Sequence, residues 1–196
     1  MELKTLFFAI AFLLVFAAYV PYFRGIFKGE TKPHAYTWLI WTITTAIGAA
    51  GVWYGGGGLP AITFAGSALM TLVIFFLSFK YGTKNITRSD TIALLVALVA
   101  VFIWVGLDNP LWSVIVGVSI DIIGYWPSVR KSFFEPWSES MSAWILWIAG
   151  PMFSLLALEA YNPFTTLYYG PIIAINILFV LMCLVRRKVV PKPIQS

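Results

Sequence analysis

Apolar residues in this chain recur in long, nearly unbroken runs rather than at the spacing of a half-buried helix or strand. Seven such runs are present: Leu3–Phe27, Ala35–Trp53, Leu59–Phe79, Thr91–Leu107, Leu111–Val129, Met141–Ala160 and Thr165–Val185. A bilayer core about 30 Å thick is crossed by about 20 apolar residues in helical form, and each run is close to that length. The pattern therefore predicts seven transmembrane helices joined by short polar loops, using nearly the whole chain. The first run is longer than the apolar part of a leader peptide, and Pro21 and Arg24 lead straight on to the next run, so it is expected to be a helix of the fold.

Composition narrows the class. Of 196 residues, 60% are apolar and 11% charged, whereas a soluble domain carries roughly 25% charged residues. That excludes an ordinary soluble enzyme, a secreted disulfide scaffold and a disordered chain. Cys183 is the single cysteine and His34 the single histidine, so neither an internal disulfide nor a Cys/His metal cluster is expected. No metal or cofactor is called for. The net charge of +5 does not point to nucleic acid, because the basic residues lie in short clusters between apolar runs.

Those clusters also orient the helices. If seven spans alternate, 12 of the 13 Lys and Arg residues fall in the first, third and fifth loops and the C-terminal tail; only Lys4 falls on the other side. The positive-inside rule then places the N-terminus outside and the C-terminus in the cytoplasm of a cell-membrane protein in contact with lipid.

Shifting the sequence by 106 residues aligns its first and last parts without a gap. Tyr19, Pro21, Arg24, Phe27, Trp38, Trp41 and Lys80 meet Tyr125, Pro127, Arg130, Phe133, Trp144, Trp147 and Arg186. The shared pattern, Y-x-P-x-x-R-x-x-F and then W-x-x-W, implies two three-helix repeats, residues 3–86 and 109–190, joined by a linker helix at 90–108. Three is odd, so a fourth helix is needed to make the two triplets parallel. Parallel repeats around an axis along the membrane normal are a transporter design with its site near the midplane.

This 3+1+3 organisation, with a proline near one end of the first helix of each triplet, resembles the SWEET, semiSWEET and PQ-loop superfamily. The stretch VPYFRGIFKGETKPHAYTW is similar to that family's P-x-x-x-R…K-x-x-T-x-x-x-S segment. The family's Pro-Gln dipeptide is Pro21-Tyr22 in one copy and Pro127-Ser128 in the other, and Trp38 and Trp144 stand where a second proline is usual. The W-x-x-W pairs also resemble the Pnu vitamin-precursor transporters. The resemblance implies an all-α bundle of seven helices that transports a small solute. Asn176 then stands near the family's sugar-binding asparagine of the seventh helix, although its repeat mate is Met70.

Individual residues carry the candidate chemistry. Pro21 and Pro127 each remove a backbone hydrogen bond inside a helix, as a hinge or as a fixed kink. Pro151 has no mate, its equivalent being Thr45. Asp121 is the one carboxyl deep in a span. Facing lipid as an anion it would cost at least about 2.5–3.5 kcal/mol, so an interior position with hydroxyl partners such as Ser119, Thr44, Thr45 or Ser154 is expected, as a substrate or proton site or as a structural hydrogen bond. Asn176 is read as a binding residue or interhelical glue. Trp38, Trp41, Trp144 and Trp147 are spaced i, i+3, so each pair shares a helix face; they are expected to be facing walls or a gate, or else part of an aromatic belt. Trp53, Trp104, Trp112, Trp126 and Trp137 are expected to be interface anchors. Arg24 and Arg130 are expected to be cytoplasmic anchors, or an inner gate pairing with Glu30, Glu135 or Glu139.

The leading expectation is a facilitator or proton-coupled transporter of a small, largely neutral solute such as a sugar or vitamin-like metabolite, working by rocking of the two repeats. It is not expected to be an enzyme and has no catalytic residues; its partners are the solute and lipid, with self-association left open. The alternative is a receptor or sorting protein on the same fold. A receptor needs charge on the outer face, which carries only Glu2, Lys4, Asp108 and Glu159.

Overall fold

Each apolar run forms a helix in the computed structural model, which describes residues 2–106 and 110–193. The described residues contain α1 (Glu2–Phe27), α2 (Ala35–Tyr54), α3 (Pro60–Tyr81), α4 (Arg88–Val105), α5 (Pro110–Phe134), α6 (Met141–Ala157) and α7 (Pro163–Val189), with one 3-10 turn at Pro136–Ser138. Among them, α1, α2, α3 and α7 are long and apolar enough to cross a membrane. That fits a helical membrane protein. The end of the expected linker helix, with Asp108, and the side chain of Trp104 lie outside the described residues.

Two ends differ from the sequence expectation for local reasons. α6 stops at Ala157 instead of Ala160. Asn162 then caps α7, accepting from the backbone N–H groups of Phe164 (3.0 Å) and Thr165 (3.3 Å) while its Nδ2 donates to the Gly55 carbonyl at 2.8 Å. One side chain thus satisfies a helix start and ties two loops together. α5 runs past Val129 to Phe134, and Arg130 and Lys131 in this added stretch both find partners inside the protein.

α1 packs along α6 and α2 along α5, while α3 lies against α1 and α2, and α7 against α5 and α6. α4 packs on α5 and α2. Close crossings are made by small residues. A Cβ on Gly150 would come within 2.4 Å of Val15, and one on Gly124 within 2.8 Å of Ile40. Such residues let helix backbones approach where apolar surroundings supply no hydrophobic driving force between helices.

Polarity is distributed inside-out relative to a water-soluble bundle. Thr37, Thr44, Ser67, Thr71, Ser128, Ser132 and Asn176 are buried, while Leu13, Phe76, Phe102, Ile103 and Leu178 are exposed. An apolar exterior around polar groups held inside the bundle is the arrangement that a lipid solvent requires.

The loops sort to two ends. At one, the backbone N–H of Lys32 donates to Ser138 O (3.1 Å), that of Thr83 to Pro33 O (3.0 Å), and the Trp137 indole to Val190 O (2.8 Å). The other end joins α1's start, the Gly55–Gly58 turn and the α6–α7 connection: Lys4 donates to Leu158 O at 2.7 Å. Gly56 and Gly58 there have φ of 72° and 74°, conformations that glycine adopts without strain.

Candidate functional site

The W-x-x-W spacing turns two tryptophans toward the bundle interior on α2 and two on α6. Trp38 and Trp41 have ring centroids 5.1 Å apart, Trp41 and Trp144 5.8 Å, Trp144 and Trp147 5.6 Å, and Trp147 and Trp38 5.9 Å. The four indoles therefore close a ring. Trp38, Trp41 and Trp144 are buried and Trp147 is partly so, so they are interior walls rather than a lipid-facing belt. Tyr125 meets Trp41 at 4.6 Å and Tyr19 meets Trp147 at 5.1 Å, both edge-on. Edge-to-face pairs of this kind contribute about 0.5–1.5 kcal/mol each. By contrast, Trp53, Trp112 and Trp126 point outward, and Trp137 lies under Arg187, 4.7 Å from its guanidinium.

Above this ring lies a cavity of about 120 Å³, lined, among the described residues, from every helix except α4. It has room for several waters, or a small solute, but is smaller than the pockets that take drug-sized ligands. Its walls combine aromatic rings with hydroxyls from Thr45, Thr63, Ser67, Thr71, Ser154 and Tyr169, the Asn176 amide and the Asp121 carboxyl.

Asp121 is 6% exposed and accepts a 2.5 Å hydrogen bond from Thr44 on α2. Of the hydroxyls expected to reach it, Thr44 makes the bond; Ser119 donates instead to its own helix at Ile115 O. Asp121 belongs to no ion pair among the described residues. Thr44 is itself fixed from behind, because Tyr168 donates to its backbone carbonyl. Gly48 makes this possible: a Cβ there would fall 2.6 Å from the Tyr168 ring.

Asn176 lines the same cavity, but much of its amide is already engaged. Its Oδ1 accepts from Tyr125 Oη at 2.7 Å, and its Nδ2 donates to Trp147 O at 3.1 Å. It joins α5, α6 and α7, and these two bonds use one of its two amide N–H donors. Pro21 and Pro127 lie inside α1 and α5 within three residues of Tyr19 and Tyr125. Pro151 lines the cavity directly.

The arginines do not make the glutamate pairs that the inner-gate alternative calls for. Arg130 pairs with Asp90 on α4, not with Glu30, Glu135 or Glu139. Arg24 is exposed and has no ion pair among the described residues. Glu139 pairs instead with Lys131, both buried, and also accepts from the Trp144 indole N–H at 2.9 Å. Lys131 Nζ further donates to Lys32 O at 2.7 Å. Reasoning from sequence missed this pair because Lys131 looked like one more loop cation; the sign of it was a lysine and a glutamate flanking the short break before the W-x-x-W helix. His34 and Asp90 were missed as partners too. Both are fully buried, with Nε2 and Oδ2 3.3 Å apart but outside hydrogen-bond geometry. Burial pushes the His34 imidazole down to about 4, against the pull of Asp90.

No group of three or more His, Cys, Asp or Glu residues among those described could hold a metal ion. Comparison of the chain with protein-family models, curated proteins and solved structures gives no match.

Proposed function

We propose that this protein is a membrane transporter for a small, largely neutral solute, built as two parallel three-helix repeats, α1–α3 and α5–α7, with α4 as the linker. The observation that carries the reading is the cavity walled by six helices and floored by the four-tryptophan ring. The helix pairing supports the repeats. α1 on α6 and α2 on α5 are exchanged by a 106-residue shift, as are Tyr19–Trp147 and Tyr125–Trp41. Among the described residues, α4 supplies no wall of the cavity.

On this reading the end carrying most Lys and Arg faces the cytoplasm of a cell-membrane protein, and the tryptophan ring is its closed inner gate. Rocking about Pro21 and Pro127 would part α1 from α6 and α2 from α5, exposing the cavity to that side. Asp121 and the cavity hydroxyls would bind the solute's polar groups while the indoles cover its apolar faces. The carboxyl would also be the site where a proton is taken up, if transport is coupled.

The test is a metabolite screen by thermal shift on the purified protein, followed by counterflow exchange of each hit in proteoliposomes. A compound at about 100 times its dissociation constant stabilises by about 2.7 kcal/mol. Hits that bind but do not exchange across the vesicle membrane would favour a receptor; hits that exchange, and lose exchange in Trp147→Ala, support the transporter.

A further inference from the structure

Arg24 and Arg130 occupy the same position of the repeated pattern and meet different surroundings. Arg130, on α5, donates from Nε to Asp90 Oδ1 at 2.8 Å, and from Nη2 to Asp90 Oδ2 and Asn85 O, each at 2.7 Å. This is the two-pronged guanidinium–carboxylate geometry that also suits phosphate. Arg24, near the end of α1, has no carboxylate within 4.0 Å among the described residues. The cause is topological. α4 packs on α5 and α2, so its first turn carries Asp90 to Arg130, and no second linker helix brings a carboxylate to the seam where α1 meets α6.

That second seam contains a cavity of about 770 Å³ lined by Arg24, Lys28, Lys32, Arg187 and Lys192. Glu30, Glu135 and Glu139 line it too, but Glu139 is already paired with Lys131. Arg187 is held in place there, donating from Nε to Pro136 O at 3.0 Å and from Nη2 to Glu139 O at 2.7 Å. The hydroxyls of Ser140 and Ser142 stand 3.3 Å apart at the start of α6, where Ser140 makes no side-chain cap. The cavity thus offers five cations, of which Arg187 is fixed by hydrogen bonds and Lys192 lies over the Trp137 ring, together with neutral donors, against two carboxylates that belong to no ion pair among the described residues.

We infer that the α1–α6 seam binds a phosphate-class anion, which takes at Arg24 the place that Asp90 takes at Arg130. Two sources present this chemistry, free phosphate and the headgroup of an acidic phospholipid. Basic pockets between membrane helices are suited to the latter. Lysines scattered for orientation alone would show no such preference for a phosphate group over another anion.

The experiment measures thermal unfolding of the full chain in a neutral detergent. One arm adds inorganic phosphate against chloride at matched ionic strength; the other adds phosphatidylglycerol against phosphatidylcholine in mixed micelles. Saturation should raise Tm by on the order of 5 °C. The rise should be lost in Arg24→Gln and kept in Lys80→Gln, a cation at the same end but outside the cavity. A rise with phosphate identifies a free anion, and a rise confined to phosphatidylglycerol identifies a lipid headgroup; either supports the site. No rise beyond the controls, or an equal rise in Arg24→Gln, overturns it. Should Arg24→Gln fail to fold, Lys28→Gln gives the same reading, with a weakened response in support and an unaltered one against.

Discussion

Trp41 meets Tyr125 edge-on with ring centroids 4.6 Å apart, joining α2 to α5 beneath Asp121. The indole Nε1 also lies 3.4 Å from the Asp121 backbone carbonyl. One side chain therefore packs the seam, floors the cavity and touches the strand of backbone that carries the buried carboxyl. Trp41→Ala should cost about 3–5 kcal/mol in stability by opening a void. Trp41→Phe should recover most of that through the ring contact alone. Thermal unfolding of the two variants, with solute leak measured in vesicles, separates packing from closure: leak in Trp41→Phe despite near-normal stability would assign the closure to the indole.

Asp121 and Thr44 give the second prediction. If the carboxyl carries protons, Asp121→Asn should abolish uptake driven by a pH gradient and spare counterflow at equal pH. Should it only hold helices, asparagine can still accept from Thr44, and both assays should be nearly normal. Thr44→Val leaves the carboxyl without its 2.5 Å donor, at a cost of about 1–3 kcal/mol.

The prolines supply the third. Pro21→Ala and Pro127→Ala restore a backbone donor in α1 and α5 and should leave the protein folded. Transport should slow in each if rocking depends on them. Unchanged uptake in both would leave the prolines a packing role only.

Lys131 and Glu139 supply the fourth. Lys131→Met leaves Glu139 buried without its counter-charge and should destabilise by about 3–5 kcal/mol. The double variant with Glu139→Leu should recover a large part of this, because two apolar groups need no pairing. A double-mutant cycle by thermal unfolding measures the coupling, and additive losses would argue that the two charges are independently solvated.

His34 sets a pH window. Its folded value is depressed to about 4 from an ordinary 6.5, so the unfolded chain binds the proton first. Stability is fully present above about 6.5 and should fall as pH drops toward 4, by a few kcal/mol. Asp90, Arg130 and Lys131 act on the same imidazole. In His34→Gln the loss across that window should shrink, measured as Tm against pH.

Helix number, rough boundaries and the repeated Y-x-P…W-x-x-W pattern were legible in the chain, because apolar run length and residue spacing are local properties. The spacing of Trp38 and Trp41 already placed both on one face of α2. That this face meets Trp144 and Trp147 across the bundle, and not lipid, depended on how α2 and α6 are rotated, which no local pattern encodes. The same holds for charge. The sequence by itself sorted nearly every Lys and Arg to one end, but it could not say that Arg130 would take Asp90, that Lys131 would take Glu139, or that Arg24 would take neither. The Arg130–Asp90 pair follows from where α4 lies, beside α5 and away from α1, and the Lys131–Glu139 pair from the path of the α5–α6 connection. Ion pairing is decided within a few ångströms, so only the packed arrangement of helices separates a buried partner from a solvated neighbour.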